Sequence, residues 1–93
     1  MIGILNINSG NLVSVYNKLT LISDQKILIT SDLEDLKRCT SIIFPGVGNI
    51  KYVISNIEKL IGINNFKNFL LNFDTKILGI CVGAQVMGCF CEE

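Results

Sequence analysis

A cysteine with a glycine two residues before it and another two residues after it is a spacing with a chemical use. Here it reads Gly79-Ile80-Cys81-Val82-Gly83, the thiol counterpart of the G-x-S-x-G turn that lifts a nucleophile between a strand and a helix. The small flanking residues let the backbone pass closely through a sharp turn. The N-terminus of the helix that follows places partial positive charge and free N–H groups beside the sulfur, which favours thiolate over thiol. In that geometry the N–H of Val82 points where a tetrahedral oxyanion forms. The plainer alternative is a buried cysteine at a strand end, and the pentapeptide alone does not decide between them.

Two further features bear on the choice. Gln85 stands four residues after Cys81, hence on the same helix face and one turn away. An amide inside the apolar stretch ILGICVGAQVMG needs hydrogen-bond partners if it is buried; bonds to nearby backbone are the ordinary alternative to a ligand. Phe44-Pro45-Gly46-Val47-Gly48 is a glycine-rich turn after an apolar run, able to present backbone N–H groups toward the same point. Such turns are common after strands, so it carries weight only in combination.

The pattern along the chain alternates strand and helix. Residues 2–7 form a short apolar run closed by Asn8, Ser9 and Gly10, as a buried strand meeting a turn does. Leu12, Val15, Tyr16 and Leu19 follow at helical spacing with one stripe to bury. Residues 26–30 predict a second strand, and Ser31 or Asp32 can cap a short helix reaching Lys37. Residues 41–44 predict a third strand, halted by Pro45 and Gly46. A helix over 50–61 buries Ile50, Val53, Ile54, Ile57 and Leu60; Phe66, Phe69, Leu70 and Phe73 repeat the spacing after a break at 62–65. Residues 76–80 predict the fourth strand, which leads directly into a helix from Val82 onward. Apolar strands joined through helices predict an α/β fold with an open doubly wound parallel sheet covered on both faces. In such sheets functional sites lie beyond the carboxyl ends of the strands, where the turns 8–11, 45–49 and 81–83 all fall.

Composition narrows the function classes. The 93 residues are 49% hydrophobic and 17% charged, with one proline, which suits one packed domain and not a disordered tail. Eight basic residues balance eight acidic ones, so charge gives no reason to expect nucleic acid or an anionic membrane as partner. No apolar run approaches the roughly 20 residues of a bilayer span, and the first residues lack the basic n-region of a signal peptide; a cytoplasmic protein is expected. Cys39, Cys81, Cys89 and Cys91 do not form a zinc pattern, since Cys89 and Cys91 are only C-x-C and the chain has no histidine. No metal site is expected, and free thiols are the default.

Taken together these stretches resemble the class I (triad) glutamine amidotransferases, especially the glutaminase subunits of imidazole glycerol phosphate synthases. The likeness is carried by Gly3-Ile4-Leu5, by Ser9-Gly10-Asn11-Leu12 running into Ser14-Val15-Tyr16-Asn17, by FPGVG at 44–48 and by LGICVGAQ at 78–85. These stand in the family's order and extend over nearly the whole chain. The resemblance implies a flavodoxin-like half of an amidotransferase domain, with residues 1–93 as a single incomplete domain ending just after the elbow helix. It implies that Cys81 attacks the side-chain amide of glutamine, that Val82 with Gly46, Val47 and Gly48 forms the oxyanion region, and that Gln85 and Gly83 meet the substrate. Asn11 matches a turn facing a barrel-shaped cyclase or synthase subunit, the heterodimer partner that receives the ammonia. The glutaminase step in that family uses no metal or organic cofactor.

Two departures matter. Where the family's first strand ends in Asp-Tyr-Gly, this chain has Asn6, Ile7 and Asn8, which alters the partner-facing turn. The family's histidine and glutamate lie far downstream of the cysteine, and none of these 93 residues is a histidine. Ammonia leaving needs a proton and thioester hydrolysis needs a base, so the chain alone is expected to be inactive or nearly so. Its fourth strand is expected to carry an open edge, with marginal stability or self-association as the consequence. A non-catalytic flavodoxin-like domain that binds a partner, or a remnant of an enzyme, is the competing expectation.

Overall fold

The computed structural model describes residues 1–7, 12–46, 49–72, 76–81 and 87–88. Four strands, β1 (Ile2–Leu5), β2 (Ile27–Thr30), β3 (Ser41–Gly46) and β4 (Lys76–Cys81), alternate with helices α1 (Leu12–Ile22), α2 (Leu33–Lys37), α3 (Ile50–Leu60) and α4 (Ile63–Asn72). The strands form one sheet in the order β2-β1-β3-β4, and every pairing is parallel. The α/β parallel sheet expected from the apolar runs is therefore the observed fold. From β1 the chain turns first to β2 on one side and later to β3 on the other, so the topological switch point lies between the carboxyl ends of β1 and β3.

Alternation along the strands builds the core. Leu5, Ile42 and Phe44 are buried together with Leu36 of α2, Val53 and Ile57 of α3, and Phe66 and Phe69 of α4. The rings of Phe44 and Phe66 meet edge to face, with centroids 5.6 Å apart and planes at 88°, the arrangement that aromatic quadrupoles favour. Ile4 points the other way along the same strand; it too is fully buried. Gly3 is small for a packing reason, since a Cβ there would stand 2.8 Å from Cys39 Sγ.

Several boundaries differ from the sequence expectations. Pro45 and Gly46 do not halt β3; they continue it. Pairing with β1 has ended at Ile43, so Pro45 stands where β3 has β4 alone as a neighbour, a half-edge position in which a missing N–H is tolerated. The α1 stripe is not buried: the helix has no buried residue, because among the described residues it packs along the sheet-edge strand β2 and little else covers it. Of the two cap candidates for α2 it is Asp32 that acts, its carboxylate accepting from the Glu34 N–H at 2.9 Å. Helix α4 starts at Ile63, so the break is only Ile61 and Gly62, and Gly62 makes the turn at φ +95°. Leu60, expected in the core, is 42% exposed. Phe73 lies outside the described residues.

Candidate active site

The parallel ladder between β3 and β4 runs from Ser41↔Lys76 to Gly46↔Cys81. Adjacent strands are about 4.8 Å apart, so the backbone of Cys81, last residue of its strand, lies one strand spacing from that of Gly46. Both stand at the carboxyl rim, where the sequence analysis placed the chemistry. The strand that delivers Gly46 is held by Phe44, fully buried two residues earlier. Three residues after Gly46, Asn49 caps α3, its side-chain oxygen accepting from the Lys51 N–H at 2.7 Å. Gly46, the last residue of β3, therefore lies between a buried ring two residues before it and the cap of a helix three residues after it.

The structure thus brings Gly46 and Cys81 together in the backbone. For Cys81 the description covers the backbone only. Asn11, Val47, Gly48, Val82, Gly83 and Gln85 lie outside the described residues, as do Cys89 and Cys91. Met87 packs against the core.

A residue that the sequence reading passed over is Asn56. It is the one buried polar side chain among the described residues, and its Nδ2 donates to the Ile7 carbonyl at 2.7 Å. The signal was present: Asn56 falls three residues after Val53 and four before Leu60, inside the apolar stripe of α3, where an amide requires a partner. Its acceptor closes β1 at the same rim.

The remaining titratable and concave features lie elsewhere. Cys39 is buried under Gly3 and Leu36, donating to the Asp35 carbonyl at 3.4 Å. Burial pushes its thiol above the ordinary 9.0, Asp35 adds to the rise, and the N-terminal ammonium and Arg38 oppose it. An inert thiol follows. A groove of about 600 Å³ runs between α2 and the α3–α4 corner, lined by Ser31, Asp32, Lys37, Asn65, Asn68 and Asn72 among others. Three of its polar side chains are engaged: Asp32 caps α2, Lys37 pairs with Glu34 and Asn65 donates to Ile61. A smaller hollow of about 260 Å³ is lined by Ile2, Ser41, Ile43, Lys76 and Leu78 among others, at the opposite end of the strands from Cys81. Among the described residues no group of His, Cys, Asp and Glu could hold a metal ion, and no helix is long and apolar enough to cross a membrane.

No family model matches the chain. It is 40% identical over 86 residues to the imidazole glycerol phosphate synthase subunit HisH of Archaeoglobus fulgidus, covering 92% of this chain and 40% of that protein. With the subunit HisH of Methanocaldococcus jannaschii it shares 37% over 87 residues, 94% of this chain and 42% of the relative. With that of Leptospira interrogans it shares 33% over 94 residues, 100% of this chain and 45% of the relative. The chain thus spans less than half the length of the curated relatives it matches.

Proposed function

The chain is a relative of the HisH subunits of imidazole glycerol phosphate synthase along almost all of its own residues, and from that relationship we propose that it carries the nucleophile of a glutamine amidotransferase glutaminase. The single observation that supports the reading is the register of Gly46 with Cys81 at the carboxyl rim of a parallel sheet. In this reading the Cys81 thiolate attacks the side-chain amide carbon of glutamine. A C–S bond forms, and the negative charge gathers on the carbonyl oxygen, where N–H groups of Val82 and of the Gly46-Val47-Gly48 turn receive it. Collapse breaks the C–N bond and expels ammonia with an added proton, leaving a glutamyl thioester that water converts to glutamate and free thiol. Gln85 and Gly83 hold the substrate. No cofactor or metal takes part.

Ammonia from that step passes to a barrel-shaped cyclase or synthase subunit docked near Asn11, in a heterodimer serving histidine biosynthesis or a related sugar amidation in the cytoplasm. The proton donor and the hydrolytic base are not among these 93 residues, which include no histidine. These residues by themselves therefore turn over glutamine slowly or not at all, since losing the base from such a unit costs orders of magnitude. That same absence favours the second reading, a non-catalytic partner-binding domain.

Backbone NMR separates the two. Titration with L-glutamine shifts the Gly46 and Cys81 amides in the glutaminase reading, and L-asparagine, one methylene shorter, shifts them far less. Equal response to both amino acids, or none to either, favours the binding domain.

A further inference from the structure

Helix α4 carries amides where a helix gains little from them. Asparagine is a weaker helix former than the alanine, lysine or glutamate that suit an exposed helix face. Yet Asn65, Asn68 and Asn72 stand at i, i+3 and i+7 of α4 and line one wall of the groove of about 600 Å³ between α2 and α4. Asn65 donates to the Ile61 carbonyl at 3.0 Å. The side chains of Asn68 and Asn72 have no hydrogen-bond partner among the described residues. Each of these amides combines a donor and an acceptor in one planar group. Four residues apart on a helix, the two lie about 6 Å apart along its axis. An extended chain turns the N–H and C=O of every second residue to the same side, about 6.6–6.8 Å apart. The two free amides therefore match the backbone of a peptide laid along α4, each taking one N–H and one C=O.

The rest of the groove fits such a chain. Leu33, Leu60 and Ile61 line it without being fully covered, so apolar side chains of a peptide gain burial there. The opposite wall is α2 with its cap, which presents Asp32, Glu34 and Lys37. Lys37 is paired with Glu34 at 3.1 Å, and Asp32 engages only Oδ1, on the Glu34 N–H. Two carboxylates against one ammonium leave that wall with one surplus negative charge, which a cationic side chain complements. We propose that the α2–α4 groove binds an extended, cationic peptide segment of another protein, with Asn68 and Asn72 pairing to its backbone and Asp32 receiving a lysine or arginine. Neither Gly46 nor Cys81 lines the groove, so the site stands apart from the chemistry assigned to Cys81.

The probe is the capped pentapeptide acetyl-Ala-Leu-Lys-Leu-Ala-amide, titrated into the 93-residue chain and followed by NMR of the asparagine side-chain NH2 pairs. The Asn68 and Asn72 pairs shift saturably, and the backbone amides of Gly46 and Cys81 stay where they are. Asn68→Ala and Asn72→Ala, both at exposed positions, each weaken binding about threefold to tenfold, the scale of a lost hydrogen bond or two. Asp32→Asn keeps the cap of α2 and weakens binding about threefold, as does the peptide with glutamate in place of its lysine. Unmoved Asn68 and Asn72 signals at about 10 mM peptide, where even a Kd of about 1 mM fills most of the sites, overturn the proposal. So does unchanged affinity in the alanine variants, or equal binding of the lysine and glutamate peptides. Should a variant not fold, the wild type decides through its Asn68 and Asn72 shifts and its preference between the two peptides.

Discussion

Gly3 offers a perturbation whose outcome is set by one neighbour. A methyl added there would lie 2.8 Å from Cys39 Sγ and 3.1 Å from Leu36 Cδ2, whereas ordinary contact begins near 3.4 Å, so the sulfur must retreat by about 0.6 Å. It has little freedom to do so: Cys39 is 5% exposed, and its thiol is tied to the Asp35 carbonyl. Overpacking of this kind costs about 1–3 kcal/mol, and the smaller unfolded-state entropy of alanine returns about 0.4–1. The net for Gly3→Ala is a loss of about 1–2 kcal/mol. Cys39→Ala alone loses about 1 kcal/mol of buried side chain. In the double variant the new methyl enters the space the sulfur left, and only the flexible end of Leu36 has to turn. The sum of the single losses then exceeds the double by about 1 kcal/mol or more. Urea unfolding of the four chains, with m-values compared to confirm a common unfolded state, measures the coupling. Equal penalties for Gly3→Ala in both backgrounds would refute the reasoning, since the sulfur would then not be the obstacle.

Three other outcomes follow from the same packing. The Cys39 thiol is raised above 9.0 in the fold, so above that pH the unfolded chain gives up a proton that the folded chain keeps; stability falls as pH rises past about 9, by at most about 1.4 kcal/mol per unit. Urea midpoints of wild type and Cys39→Ala diverge over that range and run parallel below it. Asn49→Ala removes the cap on α3 and costs about 1 kcal/mol, while Asn49→Asp, which still accepts from the Lys51 N–H, costs a few tenths; thermal unfolding distinguishes them. Among the described residues β4 pairs on one side only, and Leu78 on it is 59% exposed. Leu78→Lys shifts the chain toward monomer in sizing chromatography with a stability change within about 0.5 kcal/mol.

The parallel α/β sheet was legible because its strands are short apolar runs and its helices repeat at 3.6, both local signals. What was not legible depends on who sits beside whom. Pro45 reads as a stop, yet it extends β3 because β1 has already ended next to it. The α1 stripe reads as core, yet it packs along β2, the edge of the sheet. Asp32 and Ser31 were equivalent cap candidates until the backbone φ and ψ of Asp32 chose between them. At the candidate site, the spacing around Cys81 was plain in the sequence. Its register with Gly46 was not, since the strands that carry them are separated by two helices and pair only through the fold. Asn56 carried a readable signal, an amide within an apolar stripe, whose meaning needed its partner Ile7, 49 residues away.

Mass measurement of the intact chain after exposure to a chloroketone analogue of glutamine, followed by peptide mapping, tests most directly whether Cys81 is a poised nucleophile for glutamine. The account predicts one adduct per chain, located on Cys81, suppressed by excess L-glutamine and absent in Cys81→Ser. Cys39, buried with a raised thiol pKa, stays unlabelled under the same conditions. An unmodified Cys81, or adducts spread over the cysteines and indifferent to glutamine, would contradict it.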